Sequence, residues 1–272
     1  MRSAIKITFK NSKDVFVLFS ALNSMGYDDE NNSRGMSSIR KKVRSALLKH
    51  GCNKKYPQLK KIIEKYHPWY FLNTIFAKQK KYSLLSSFVI NLKKFAREPF
   101  IRKMWNVFKA YQVKETKKLL PLFKKETARL ILFIKTPPRK IKKLVLVSNP
   151  LDAYWRGYGF TIGGIGYVVA GPGAEKHHGE LIRHELLHVL APRLRLPKWI
   201  TAGRHRNRLT ALGYKSPNII NREYVVRSLN LVYESIILRK NISTAVKREN
   251  KNFKHIREAM EFIKSKIIRG RP

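Results

Sequence analysis

Residues 179–192 read GELIRHELLHVLAP, and three of them have types and a spacing that can do chemistry. His184 and His188 stand four apart, so on a helix their imidazoles share one face and can hold a single divalent ion such as zinc. Glu185 follows the first histidine directly. From there a carboxylate reaches a water on the metal without being a ligand, which is the general-base position in metal-assisted hydrolysis. The neighbours Leu181, Ile182, Leu186, Leu187, Val189 and Leu190 are apolar. Three ionisable groups among them need partners, because a buried unpaired charge is costly. The competing reading is a partly exposed helix with incidental histidines.

A catalytic zinc takes a third protein ligand and keeps one position open. The residues after His188 lack the glycine and third histidine of the extended metzincin motif, which excludes that arrangement. Glu223, in NIINREYVVRSLNLVYESI, lies on a helical face with Ile219, Ile220 and Val226, where a carboxylate on an apolar stripe has the look of a ligand. Its bland alternative is an i,i+4 ion pair with Arg227, worth a few tenths of a kcal/mol. Glu234 and His205 are the other choices for the third ligand, although His205 sits in GRHRNR, whose charge repels a dication. His177 and His178 precede the motif helix too closely to fold back and are expected to be cap or cleft residues. Tyr158, Tyr167, Tyr224 and Tyr233 have the right type to stabilise an oxyanion, but with twelve tyrosines in the chain none is singled out.

These residues need elements to hold them. The first half reads as helical: residues 14–25 ending at Gly26, SSIRKKVRSALLKHG stopping at Gly51, YPQLKKIIEKYHP, and a long amphipathic stretch over 82–111. After TPPRK the composition changes. KKLVLVSNP predicts a strand, YWRGYGFTIGGIGYVVAGPG a hairpin or irregular edge strand, and 177–190 the motif helix, stopped by Pro192. The Glu223 segment predicts a strong helix, and a last helix is expected near 248–268. The expected class is α+β, with a division near residue 136: a basic helical region over 1–136, and a small twisted sheet with the motif helix and the downstream glutamate helix over 137–272.

The bulk properties set outer limits. With 272 residues, 43% of them hydrophobic, the chain can bury a real core. A single cysteine, Cys52, excludes an internal disulfide framework and fits a reducing compartment. No run of eighteen apolar residues occurs, and Lys13 and Asp14 interrupt the opening stretch, so the expectation is a soluble cytoplasmic protein without a signal peptide. The net charge of +41 predicts salt-sensitive attraction to nucleic acid or an anionic lipid surface. The lysines are scattered singly and in pairs, no zinc-finger, RNP or helix-turn-helix pattern stands out, and a compositional bias would produce the same charge.

HELLH followed by a helix carrying EYVVRSL resembles the zincin clan of metallopeptidases in its gluzincin arrangement. The chain is also similar to poorly characterised bacterial zincin-like proteins with a helical N-terminal half, a SNPLDAY-like strand end and a YVVAGP strand before the motif. The resemblance covers about residues 142–240 and extends loosely over the helical half. It implies a zincin-like domain over 137–272, one zinc ion held by His184, His188 and Glu223, Glu185 as base, and an edge strand at about Ile165–Ala170 that binds an extended peptide. In the thermolysin branch asparagine and glutamate are adjacent; here Arg222 separates Asn221 from Glu223, and no aspartate follows at the corresponding spacing. Three functions follow as expectations. The first is a zinc metallopeptidase acting on a peptide or protein. The second is a basic nucleic-acid- or surface-binding protein whose motif is incidental. The third is a zincin fold that holds zinc without turnover.

Overall fold

Hydroxyl caps start several of the long helices. Ser12 Oγ accepts from the Val15 amide at the head of α1 (Lys13–Ser24), and Ser37 Oγ accepts from the Arg40 amide at the head of α2 (Ser38–Lys49). Gly51, at φ +65°, turns the chain out of α2 into the short α3 (Cys52–Lys55). Pro57 occupies the first turn of α4 (Pro57–Ile63), which is followed by α5 (Pro68–Ala77). The amphipathic stretch expected over 82–111 is two helices, α6 (Ser83–Arg97) and α7 (Pro99–Ile134), broken where Pro99 cannot continue the first. Helix α7 keeps Pro121 inside it.

The computed structural model describes residues 5–27, 36–77, 83–134, 141–201, 208–210 and 216–268. It is an α+β fold with a four-stranded mixed sheet. The strands are β1 (Lys6–Phe9), β2 (Lys143–Ser148), β3 (Gly157–Ile162) and β4 (Ile165–Ala170), in spatial order β1-β2-β4-β3. β1 and β4 run parallel to β2, and β3 runs antiparallel to β4. Gly163 and Gly164, both at positive φ, close the β3–β4 hairpin as a two-residue turn of the primed kind requires.

This order corrects one expectation. Ile165–Ala170 is not an edge strand, because β2 pairs along one side of it and β3 along the other. At that end of the sheet the edge is Gly157–Ile162. Hydrophobic pattern marks a strand as buried, but its rank in the sheet comes from pairings that the pattern does not encode.

The chain forms two compact units: Met1–Lys125 with Ile141–Glu185, and Glu126–Lys140 with Leu186–Pro272. These are not the sequence halves expected from a division at 136. β1 pairs with β2, and the buried α1 residues share one core with Val145, Val147, Tyr158 and Phe160, so the N-terminal helices and the sheet belong together. The cuts fall inside α7 and inside α8 (Glu180–Leu190), and both helices run through them unbroken. The second unit contains α9 (Lys198–Thr201), α10 (Pro217–Ile236), α11 (Ser243–Asn250) and α12 (Ile256–Ile268). The last helix expected over 248–268 is thus two, separated by a turn in which His255 has φ +64°. Ser216 caps α10 by accepting from the Ile219 amide, and Pro217 takes its first turn. Tyr224 and Tyr233 of α10 pack edge-on against Phe253 and Phe133. Among the described residues no helix is long and apolar enough to cross a membrane.

Candidate metal centre

Helix α8 begins at Glu180, after a single 3-10 turn over His177–Gly179, and runs to Leu190. Its apolar face (Ile182, Leu186, Leu187, Val189, Leu190) is buried, which fixes how the remaining face is turned. His184 and His188 lie one turn apart on that remaining face, both half-buried. Glu223 reaches them from α10. One ligand atom from each of His184, His188 and Glu223 can be chosen so that all lie within 4.8 Å of one another.

The donor set fits a small divalent ion. Bonds of about 2.0–2.2 Å in a tetrahedron put ligand atoms about 3.4 Å apart. His188 Nε2 and Glu223 Oε1 are 3.0 Å apart, a few tenths of an ångström from that spacing. Two neutral imidazoles and a carboxylate form a set that zinc takes readily, and they leave a fourth position for solvent or substrate.

Glu223 makes the expected pair with Arg227 and also faces His188. Oε1 faces His188, while Oε2 accepts from Arg227 Nε at 3.2 Å. Arg227 is held in turn by Glu249, whose Oε2 accepts from Nη1 at 2.8 Å, and by the Phe253 ring, 4.5 Å from the guanidinium carbon. The i,i+4 pair therefore orients the carboxylate and leaves its other oxygen toward the imidazole, as the outer partners of metal ligands do.

Glu185 is 5% exposed and lies outside the three-residue cluster. Its side chain rests on the first residue of β3: a Cβ added at Gly157 would stand 2.7 Å from Glu185 Cγ and 3.2 Å from Oε1. The residue that the spacing proposes as a base thus lies against the face of β3 at its first residue, ahead of the buried Tyr158, Gly159 and Phe160. Gly157 is kept in place by its pairing with Ala170 and by the Gly171 amide, which donates to Arg156 O at 2.8 Å. Gly171 has no room for a side chain either, since a Cβ there would lie 2.6 Å from Arg156 O.

The other candidates stand elsewhere. Glu234 is buried on α10, eleven residues beyond Glu223 and about 16 Å further along the axis, and does not join the cluster. His205 lies outside the described residues, as does the side chain of His178. His177 is exposed, with its ring against Trp155 at a centroid distance of 5.6 Å. Of the four tyrosines, Tyr158 is buried in the core of the first unit, Tyr167 stacks on Phe160, Tyr224 donates to Lys254 O at 2.7 Å, and Tyr233 is buried beside Phe133.

Two residues that the sequence reading did not single out prove to shape the site. One is Gly157. The other is Arg222, noted there only as an interruption between Asn221 and Glu223. Its Nη2 donates toward the carbonyls of Leu187, His188 and Ala191, with His188 O nearest at 2.7 Å, and Nη1 donates to Pro192 O at 3.0 Å. Burial pushes the guanidinium pKa down to about 10, so it remains charged at neutral pH. Asn221 grips the following segment, donating from Nδ2 to Leu194 O and accepting at Oδ1 from the Leu196 amide.

No family model, no curated protein and no solved structure matches this chain.

Proposed function

We propose that the chain is a zinc-dependent metallopeptidase of the gluzincin type, with His184, His188 and Glu223 as the ligands and Glu185 as the general base. The observation that carries this reading is the convergence of the three ligand atoms to within 4.8 Å, with Glu185 on the same helix but outside the set. Zinc in such a site supplies Lewis acidity, which lowers the pKa of a water and polarises a carbonyl. The rest falls to the protein. The Glu185 carboxylate takes a proton from the attacking water as its oxygen bonds to the peptide carbon, then delivers a proton to the leaving nitrogen as the C–N bond breaks. Burial of Glu185 keeps bulk solvent from competing for that proton.

The edge of β3 supports an extended peptide as the substrate class. Among the described residues one side of Gly157–Ile162 has no strand paired to it. A peptide that adds at the Gly157 end of this strand, ahead of the buried Tyr158–Phe160, would present its backbone carbonyls rather than a particular side chain, near the face on which Glu185 rests.

The test has two parts. The purified protein should carry about one equivalent of zinc, removable by a strong chelator. Glu185→Gln should keep the metal and lose turnover of a mixed peptide library, because the amide is isosteric but accepts no proton. Absence of any transition metal, with no uptake when zinc is added, would end the proposal.

A further inference from the structure

Glu223 and His188 come from different helices, and a carboxylate can serve as a ligand only if those helices are locked in register along and about their axes. The residue before Glu223 makes that lock. The last carbonyls of a helix lack intrahelical partners and form the negative end of its dipole. At the end of α8 the guanidinium of Arg222 meets such a carbonyl, that of His188, together with that of Leu187, which also accepts from the Ala191 amide, and those of Ala191 and Pro192 just beyond the helix. Its shortest bond, 2.7 Å, goes to the main-chain carbonyl of His188, while the side chain of His188 meets Glu223 Oε1 at 3.0 Å. His188 is therefore held twice by consecutive residues of α10, through its backbone by Arg222 and through its ring by Glu223.

We propose that Arg222 is a positioning residue for the metal centre: by capping the C-terminus of α8 it sets the separation of the His188 and Glu223 ligand atoms. The inference rests on the ligand set proposed above. It also explains why arginine between Asn221 and Glu223 is compatible with a working site. Successive residues on a helix point about 100° apart, so Arg222 can face the end of α8 while Glu223 faces its imidazole. A planar guanidinium with five donors spans several carbonyls at once, which an ammonium cannot do.

The test measures zinc affinity by competition with a chromophoric chelator, on metal-stripped wild type, Arg222→Met, Arg222→Lys and Asn221→Ala, with a thermal melt of each. Loss of an outer partner of a metal ligand weakens binding by about 10–100-fold. Arg222→Met should fall in that range. Arg222→Lys should lie between it and wild type, since the charge survives and the multiple bonds do not. Asn221→Ala is the control: it removes bonds to Leu194 and Leu196 and none to His188, so its melting temperature should drop with little change in zinc affinity. If Arg222→Met does not fold, Arg222→Lys decides the matter. Wild-type affinity in the Arg222 variants overturns the inference, as does a zinc affinity that tracks melting temperature equally across all three substitutions. A wild-type chain that takes up no zinc removes the ligand set itself, a different failure from a wild type that binds zinc and Arg222 variants that bind it equally well.

Discussion

Replacing Gly157 with alanine tests whether Glu185 is the base, because it adds one methyl group and removes nothing. That methyl carbon would stand 2.7 Å from Glu185 Cγ, 3.1 Å from Cδ and 3.2 Å from Oε1. Unstrained carbon–carbon contacts are about 3.5–4.0 Å, so the closest pair must open by about 1 Å. The strand cannot easily give way, since Gly157 is paired with Ala170 and its flanks are hydrogen-bonded. Glu185 has little free volume at 5% exposure, so its carboxylate moves with the rest of the side chain. A displacement of about 1 Å in a reacting group costs on the order of 10²-fold in rate. Overpacking costs about 1–3 kcal/mol of stability, offset by up to about 1 kcal/mol because alanine has less conformational freedom than glycine in the unfolded chain. The assay is kcat/KM on a fluorogenic peptide pool, with zinc content and a thermal melt on the same preparation. We expect about 100-fold lower kcat/KM, unchanged zinc and a small loss of melting temperature. Folded Gly157→Ala protein with activity within about twofold of wild type would refute the assignment of Glu185, since a base that tolerates such displacement is not positioned for proton transfer. Loss of zinc in parallel would instead move Glu185 into the ligand set.

Glu223→Gln should weaken zinc binding directly, whereas a carboxylate serving only Arg227 would cost well under 1 kcal/mol and leave metal affinity alone; chelator competition separates the two. Zinc at about 100 times its dissociation constant should stabilise the protein by about 2.7 kcal/mol, visible as a chelator-reversible rise in melting temperature, and an unchanged melt would contradict a site present only in the folded state. Burial pushes the phenol pKa values of Tyr27, Tyr158 and Tyr224 above the usual 10. These folded-state pKa values exceed the unfolded ones, so their stabilisation is complete below about pH 10 and is lost as pH rises through the folded values. An alkaline absorbance titration should therefore show these phenols ionising only with unfolding; free ionisation near pH 10 would contradict their burial. The +41 charge predicts retention on heparin that falls steeply with salt and is unchanged by His184→Ala, while a strong preference for one nucleic-acid sequence would favour the binding-protein reading.

What the sequence determined about this protein is what depends on neighbours along the chain. His184 and His188 share a face because a helix repeats every 3.6 residues, and the apolar residues around them leave only one orientation for that face. The Ser216-Pro217 cap of α10 and the Gly163-Gly164 turn between β3 and β4 are local chemistry as well, although the sequence reading began that helix at Asn218 and named no turn at the glycine pair. β1 was not legible: four residues, KITF, whose reason to be a strand is a partner at Lys143–Leu146. Nor was the rank of Ile165–Ala170 in the sheet, or the membership of the N-terminal helices and the sheet in one unit, because pairings between distant segments leave no periodic trace. The third member of the cluster sits between these cases. Its helix and its apolar face could be read in advance, but Glu223, Glu234 and His205 could be ranked only by argument. That Glu223 rather than Glu234 joins the two histidines comes from the packing of α10 on the end of α8, where Arg222 holds the His188 carbonyl and leaves Glu223 3.0 Å from its ring. Spacing within a helix is a property of the backbone, whereas distance between helices is a property of the side chains packed between them.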